Sequence, residues 1–213
     1  MKKGISFFIK IFLELVVKRM VKEIEGEENI PRNANFIIAA NHINSWDHFL
    51  IVLALKNRIK TIYFVAKEFK NFWQLIILGG FYFLTETIFI NKKEDRESLL
   101  TKLANYLNKD KIIVIYPEGT TNKGNELLQG KTGVVELAIK SGKPVIPFGI
   151  LHKKNSKKKI LRIGKPLYFT IEKEIPEEIK NNRENYYLFL RKNTDKVMRE
   201  ISKLSGKPYN YGD

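Results

Sequence analysis

The chain has 213 residues, 44% of them hydrophobic, with no cysteine and a formal net charge of +15. Such a length suits one domain with a sizeable core, and the apolar content excludes a disordered chain. The missing cysteine excludes disulfides, thiolate metal sites and a cysteine nucleophile and fits a reducing compartment, while the charge calls for an anionic partner.

In chain order, residues 1–24 read as an amphipathic helix. Ser6, Lys10, Glu14, Lys18 and Lys22 recur every fourth residue and draw one narrow polar stripe along it. The charges rule out a bilayer span, and no small-residue cleavage site follows as in a signal peptide. A helix of this kind can pack on its own domain or lie in a membrane interface with its charges towards the headgroups, and the second reading is preferred. The expected location is therefore the cytoplasmic face of a membrane, with peripheral or monotopic attachment.

Residues 25–213 form the remaining domain, with a helical C-terminal region. The polar stretch from Glu25 to Asn35, with Pro31, reads as a connection. Phe36 to Ala40 is a short strand, apolar on both faces. Ser45 is placed to cap a helix through Leu55. Thr61 to Ala66 is β-branched and aromatic, hence a strand. Phe69 to Leu84 starts as a helix, Thr87 to Ile90 is a strand, and Glu94 to Asn108 is a helix bearing Leu99, Leu100, Leu103 and Leu107. Lys111 to Tyr116 is the clearest strand. Thr132 to Lys140 is a helix stopped at Ser141-Gly142. Val145 to Ile150 and Ile160 to Ile163 are strands, and Pro176 to Leu204 is mostly helical. This alternation predicts a layered α/β fold with a largely parallel central sheet flanked by helices.

Two loops follow strands in this order: Asn41 to Asp47, and Tyr116 to Thr120. Open α/β sheets place their chemistry at the carboxyl ends of strands. On an uninterrupted helix, residues five apart point about 140° from each other, so His42 and Asp47 would not meet. With His42 in the turn and Asp47 in the first helical turn, they do. A neutral imidazole oriented by a carboxylate is a general base, able to take the proton of an attacking alcohol. The main-chain N–H groups of Gly119 and Thr120 are candidate oxyanion donors. His48 and His152 lack such a setting and read as packing or surface residues. No third His or Glu stands at metal-ligand spacing.

Asn41-His42, four residues and Asp47 resemble the first signature of the glycerolipid acyltransferases, the group containing 1-acylglycerol-3-phosphate acyltransferases. Tyr116-Pro117-Glu118-Gly119-Thr120 is similar to their Phe-Pro-Glu-Gly-Thr signature. Val145-Ile146-Pro147-Phe148 resembles their late Val-Pro strand, and Lys131-Thr132-Gly133 their Lys-x-Gly. The resemblance spans residues 25 to 165 in matching order. It implies a glycerol-3-phosphate acyltransferase-like fold and transfer of a fatty acyl group to lysophosphatidate, giving phosphatidate. His42 and Asp47 are then catalytic, and Asn41, Lys67, Lys92, Glu118, Gly119, Thr120 and Lys131 bind substrate, Glu118 by contacting the acceptor. It also implies no cofactor and no metal, an acyl-CoA or acyl carrier protein thioester as co-substrate, a lysophospholipid acceptor and an anionic membrane surface.

The family's two Arg positions are filled here by Lys92 and Thr121. Lys92 keeps the charge but loses the bidentate fork, and Lys123 or Lys131 is left to compensate for Thr121. Other lysolipid or lipid-alcohol acceptors, such as a lysophosphatidylglycerol or an ornithine lipid, and a thioesterase using water, remain alternatives on the same His-Asp pair. A nucleic-acid binder is the remote one. Lys153, Lys154 and Lys157 to Lys159 form a basic patch beside His152, but no nucleic-acid-binding motif accompanies them, so no nucleic acid is expected as partner. The polar stretch Lys123 to Glu126 is expected to move over the site.

Overall fold

The computed structural model describes residues 11, 15, 17–32, 34–55, 61–67, 86–90, 95–152, 156, 158–169 and 182–212. Among these residues, seven strands form one sheet in the order β1-β7-β6-β2-β5-β3-β4. The strands are β1 (Val21–Glu25), β2 (Ile37–Ala40), β3 (Ile62–Lys67), β4 (Glu86–Ile90), β5 (Ile112–Ile115), β6 (Val145–His152) and β7 (Lys159–Ile163). From β6 across to β4 every neighbouring pair is parallel. β7 runs antiparallel to β6, and β1 pairs parallel to β7. The mixed α/β architecture with a mostly parallel sheet agrees with the alternation in the sequence.

Period-two alternation divides the core into two layers. Phe36, Ile38 and Ala40, together with Ile112, Val114, Ile146, Phe148, Ile150, Leu161 and Ile163, face one side. There they pack against helix α1 (Asp47–Ala54), through residues such as Leu50 and Ile51. Ile37, Ala39, Ile113 and Val145 face the other side. That side is covered by α2 (Arg96–Leu107), α3 (Gly133–Ser141) and α4 (Arg183–Ser205). The strands read as apolar throughout because both of their faces are buried. Gly149 lets α4 lie directly on β6, since a Cβ there would collide with Leu204 and the Ser205 amide.

Three expected boundaries shift. Residues 21–24 do not extend the N-terminal helix: the chain makes a helical turn at Lys18–Met20 and then enters β1. The edge of β7 supplies hydrogen-bond partners that helical periodicity cannot register. Ser45 does not cap α1, whose N-cap is Trp46 with no side-chain hydrogen bond. The helix from Glu94 begins at Arg96, capped by Asp95, which accepts the Ser98 N–H at 2.9 Å. The expected helix at Phe69 to Leu84, residues 176–181 and most of the N-terminal polar stripe lie outside the described residues. Among the described residues no helix is long and apolar enough to cross a membrane.

Candidate active site

β2 ends at Ala40, and residues 41–46 turn back into α1 at the carboxyl edge of the parallel strands. Asp47 closes that turn. Its Oδ2 accepts the Ile43 N–H at 2.6 Å, the Asn44 N–H at 2.7 Å and His42 Nδ1–H at 3.0 Å. A carboxylate offers no proton at that contact, so the proton sits on Nδ1. His42 Nε2 is left with a lone pair and has no partner among the described residues. The His42 side chain keeps 13% of its surface exposed, whereas that of Asp47 has none. The expected pair therefore forms, with the carboxylate fixed from several directions and one imidazole nitrogen presented outward.

Asp47 has a further partner that the spacing did not reveal. Lys159, at the head of β7, donates to Asp47 Oδ1 at 2.6 Å and to Asn44 Oδ1 at 3.0 Å. Burial pushes the Asp47 carboxyl up, but the His42 hydrogen bond, the Lys159 charge and hydrogen bond and the Asn44 amide outweigh it. The result is a carboxyl held below its ordinary 3.8. Reading Lys159 as part of a surface patch is thus corrected: it is 4% exposed. One signal was present in the sequence, since Lys159 is in phase with Leu161 and Ile163 on an alternating strand.

Tyr116 and His48 complete the walls. The Tyr116 ring stacks on His42 with centroids 4.0 Å apart and planes 19° apart. Its hydroxyl shares a 2.6 Å hydrogen bond with His48 Nδ1. Burial, aided by the neighbouring His42 and opposed by Asp47, pushes His48 down to about 3, so it stays neutral beside the base. His152 is exposed, with Nε2 3.0 Å from the Ser156 carbonyl. Both histidines thus hold the packing and surface roles expected of them.

Three residues expected to contact substrate have protein partners. Asn41 is 1% exposed and spends both ends of its amide on Ile150, donating at 3.0 Å and accepting at 2.7 Å. It ties the end of β2 to β6. Glu118 is 5% exposed; Oε1 accepts the His42 N–H at 3.3 Å, and Oε2 accepts Asn122 Nδ2 at 2.6 Å and the Leu128 N–H at 3.0 Å. With its oxygens engaged by protein, it clamps the loop. The Gly119 N–H is committed to the Tyr116 carbonyl at 2.9 Å and is not an oxyanion donor.

Thr120 is exposed, and its N–H has no partner among the described residues. Lys131 lies across Gly119, where a Cβ would stand 2.6 Å from the ammonium nitrogen; the glycine's φ of 70° is also one that L side chains rarely adopt. The structure thus brings Lys131 and Thr120 to the same loop. Lys92 lies outside the described residues, and for Lys67 the backbone alone is described, at the end of β3. Among the described residues no group of three or more His, Asp or Glu is arranged to hold a metal ion.

The 123–126 stretch, expected to move over the site, is hydrogen-bonded at Gly124 and at both flanks. The Asn122 N–H donates to the His42 carbonyl at 2.6 Å, and the Leu127 N–H to the Pro208 carbonyl at 2.9 Å. Lys207 donates to the Asn122 carbonyl at 3.1 Å and to the Gly124 carbonyl at 2.7 Å. Burial lowers the Lys207 ammonium against the opposing pull of Glu118 and Asp47.

The structure places a His-Asp pair beside a Pro-Glu-Gly-Thr loop at the carboxyl edge of a parallel sheet, the arrangement expected of an acyl-transfer site. The chain belongs to the Acyltransferase family, whose model matches residues 22–151. It is 29% identical over 157 residues to a 1-acyl-sn-glycerol-3-phosphate acyltransferase of Borreliella burgdorferi, covering 69% of this chain and 57% of that protein. It is 30% identical over 131 residues to a lyso-ornithine lipid O-acyltransferase of Rhizobium meliloti, covering 61% of this chain and 41% of that one. The chain therefore spans about half the length of these relatives. The crystal structure of the 1-acyl-sn-glycerophosphate acyltransferase from Thermotoga maritima shares the fold, with a TM-score of 0.58 and 23% identity over 96% of this chain and 80% of that one.

Proposed function

We propose that the protein is an O-acyltransferase that moves a fatty acyl group from a thioester donor to the free hydroxyl of lysophosphatidate, giving phosphatidate. The observation that carries this reading is His42 Nε2, unpartnered among the described residues while Asp47 holds Nδ1–H at 3.0 Å. The acceptor hydroxyl gives its proton to Nε2 as its oxygen attacks the thioester carbonyl. The C–O bond forms, the tetrahedral intermediate collapses, and the C–S bond breaks. With a thiol pKa near ~8.5, the sulfur departs as thiolate or takes the proton back from the imidazolium. No covalent acyl-enzyme is needed. The Thr120 N–H is the remaining main-chain donor of the expected pair for the developing oxyanion.

Lys131 is the contact favoured here for the acceptor's phosphate, with Lys67 and Lys92 as further cations in the sequence and Thr121 in place of an arginine. The donor is acyl-CoA or an acyl carrier protein thioester. The +15 charge supports work at an anionic membrane surface, peripherally, on its cytoplasmic face. A second reading, acylation of a lyso-ornithine lipid, is favoured by the relative that bears that name.

The test is incubation of purified protein with lysophosphatidate or a lyso-ornithine lipid and each donor, with products identified by mass spectrometry. Phosphatidate from lysophosphatidate is expected, with little free acid when the acceptor is omitted. Release of free acid and thiol that ignores the lipid would make the protein a thioesterase instead.

A further inference from the structure

We propose that Lys159 is a positioning residue of the acyl-transfer site, a built-in cation that keeps Asp47 ionised and aimed at His42. The inference rests on the reading above for its relevance to catalysis, and on the geometry alone for the state of Asp47.

The ammonium nitrogen lies 2.6 Å from Asp47 Oδ1, with 5% of the Lys159 side chain and none of the Asp47 side chain exposed. Removing both charges from water costs several kcal/mol per ion, and apolar replacements of equal volume are often at least as stable. Stability alone is therefore a weak reason for the pair. Its geometry points to another. Asp47 Oδ2 serves His42 and two amides, and Oδ1 serves Lys159, so the lysine fixes the rotation of the carboxylate that sets the imidazole. Asn44 receives the same ammonium at 3.0 Å and the Trp46 N–H at 3.0 Å, which ties the lysine to the turn carrying His42.

Topology explains how a residue 112 positions along the chain reaches this spot. β7 is antiparallel to β6, with His152 opposite Lys159, so its first residue arrives at the carboxyl edge of the parallel strands. The alternation that buries Leu161 and Ile163 on the α1 side turns Lys159 to that side too.

Among the described residues, the titratable and charged groups around the carboxylate are His42 and His48 from the turn and α1, Tyr116 and Glu118 from the end of β5 and its loop, Lys159 from β7, and Lys207 from the C-terminal tail. Tyr116 and Glu118 bond to His48 and to the His42 amide. Lys207 interacts with Asp47 through its charge while donating to the carbonyls of the 122–124 loop. Lys159 alone among these cations touches Asp47. Without it, the buried carboxylate would be protonated at higher pH, and a protonated Asp47 can no longer hold the imidazolium.

The test compares the full-length wild type with Lys159→Gln, which keeps a hydrogen-bond donor without charge, and Lys159→Arg, which keeps the charge. Carbon-13 NMR of the Asp47 carboxyl across pH is read alongside the pH profile of transfer from acyl-CoA to lysophosphatidate. Lys159→Gln is expected to move the Asp47 titration and the acidic fall of kcat/KM upward by about one unit or more. Its kcat should drop roughly a hundredfold with little change in KM, while Lys159→Arg keeps the wild-type acid limb. A Gln variant that is folded, with the wild-type titration and acid limb, overturns the proposal. If the Gln variant does not fold, the wild type decides: an Asp47 carboxyl that titrates in the ordinary range overturns it, and one that stays ionised below that range supports it. Absence of transferase activity in the wild type would sink the functional reading and leave the carboxyl titration to judge Lys159.

Discussion

Glu118 and His42 are joined through the main chain: a Glu118 carboxylate oxygen accepts the His42 N–H at 3.3 Å, while the other oxygen holds Asn122 and Leu128. The carboxylate thus links the loop after β5 to the turn after β2, and it acts on the base through the backbone. Each donor left unsatisfied in a buried place costs about 1–3 kcal/mol. Glu118→Ala should therefore lower stability by roughly 3 kcal/mol in urea unfolding and cut kcat, with KM for the lysolipid nearly constant. A selective rise in acceptor KM with intact stability would restore Glu118 to substrate binding.

His42→Ala removes the proton acceptor, and Asp47→Asn removes the charge that orients it. Both variants should lose roughly 10²- to 10⁴-fold in transfer rate. His42→Ala should keep the wild-type circular dichroism spectrum, because among the described residues the His42 side chain hydrogen-bonds only to Asp47. Asp47→Asn should also unfold more easily, since an amide presents a donor where the turn offers N–H groups and Lys159.

Asn41→Leu keeps the volume but strands the Ile150 N–H and carbonyl between β2 and β6. The expected loss is on the order of 2–4 kcal/mol, seen as a lower denaturant midpoint. Activity per folded molecule should fall much less than in His42→Ala.

Acidification should weaken the protein through His48 before it does so through Asp47. His48 falls from 6.5 to about 3 on folding, so below 6.5 the unfolded chain binds a proton that the native state refuses. Its stabilising contribution is present above 6.5 and lost as the pH falls towards 3. The slope is on the order of 1 kcal/mol per pH unit within that window. Asp47, depressed below 3.8, keeps its contribution above that pH and loses it only as the pH passes through its folded value. Denaturant midpoints between pH 4 and 6.5 should therefore flatten in His48→Phe relative to wild type.

Deleting residues 207–213 removes the Lys207 bonds to the 122–124 carbonyls and the Pro208 carbonyl that receives Leu127. Amide exchange should quicken at Leu127 and Leu128, and kcat should fall by roughly tenfold, as expected when the groups around a reacting centre are less well held. Helix content should barely change.

The sequence by itself determined whatever depends on near neighbours. Runs such as Phe36 to Ala40 and Lys111 to Tyr116 announce strands buried on both faces, and the alternation of strand and helix fixes a layered sheet. The turn that joins His42 to Asp47 is equally local, since five residues decide whether the two side chains meet. Tertiary structure decided the partners brought from afar. Lys159 looked like one more surface lysine until an antiparallel β7 delivered it to Asp47, and Val21–Glu25 became a strand only because β7 offered an edge. Asn41 and Glu118 belong to recognisable motifs, yet Ile150, Asn122 and Leu128 occupy their polar atoms. The physical reason is common to all four. Residue type and spacing encode what a side chain is able to bond, and the order and direction of the strands settle which group stands close enough to take the bond.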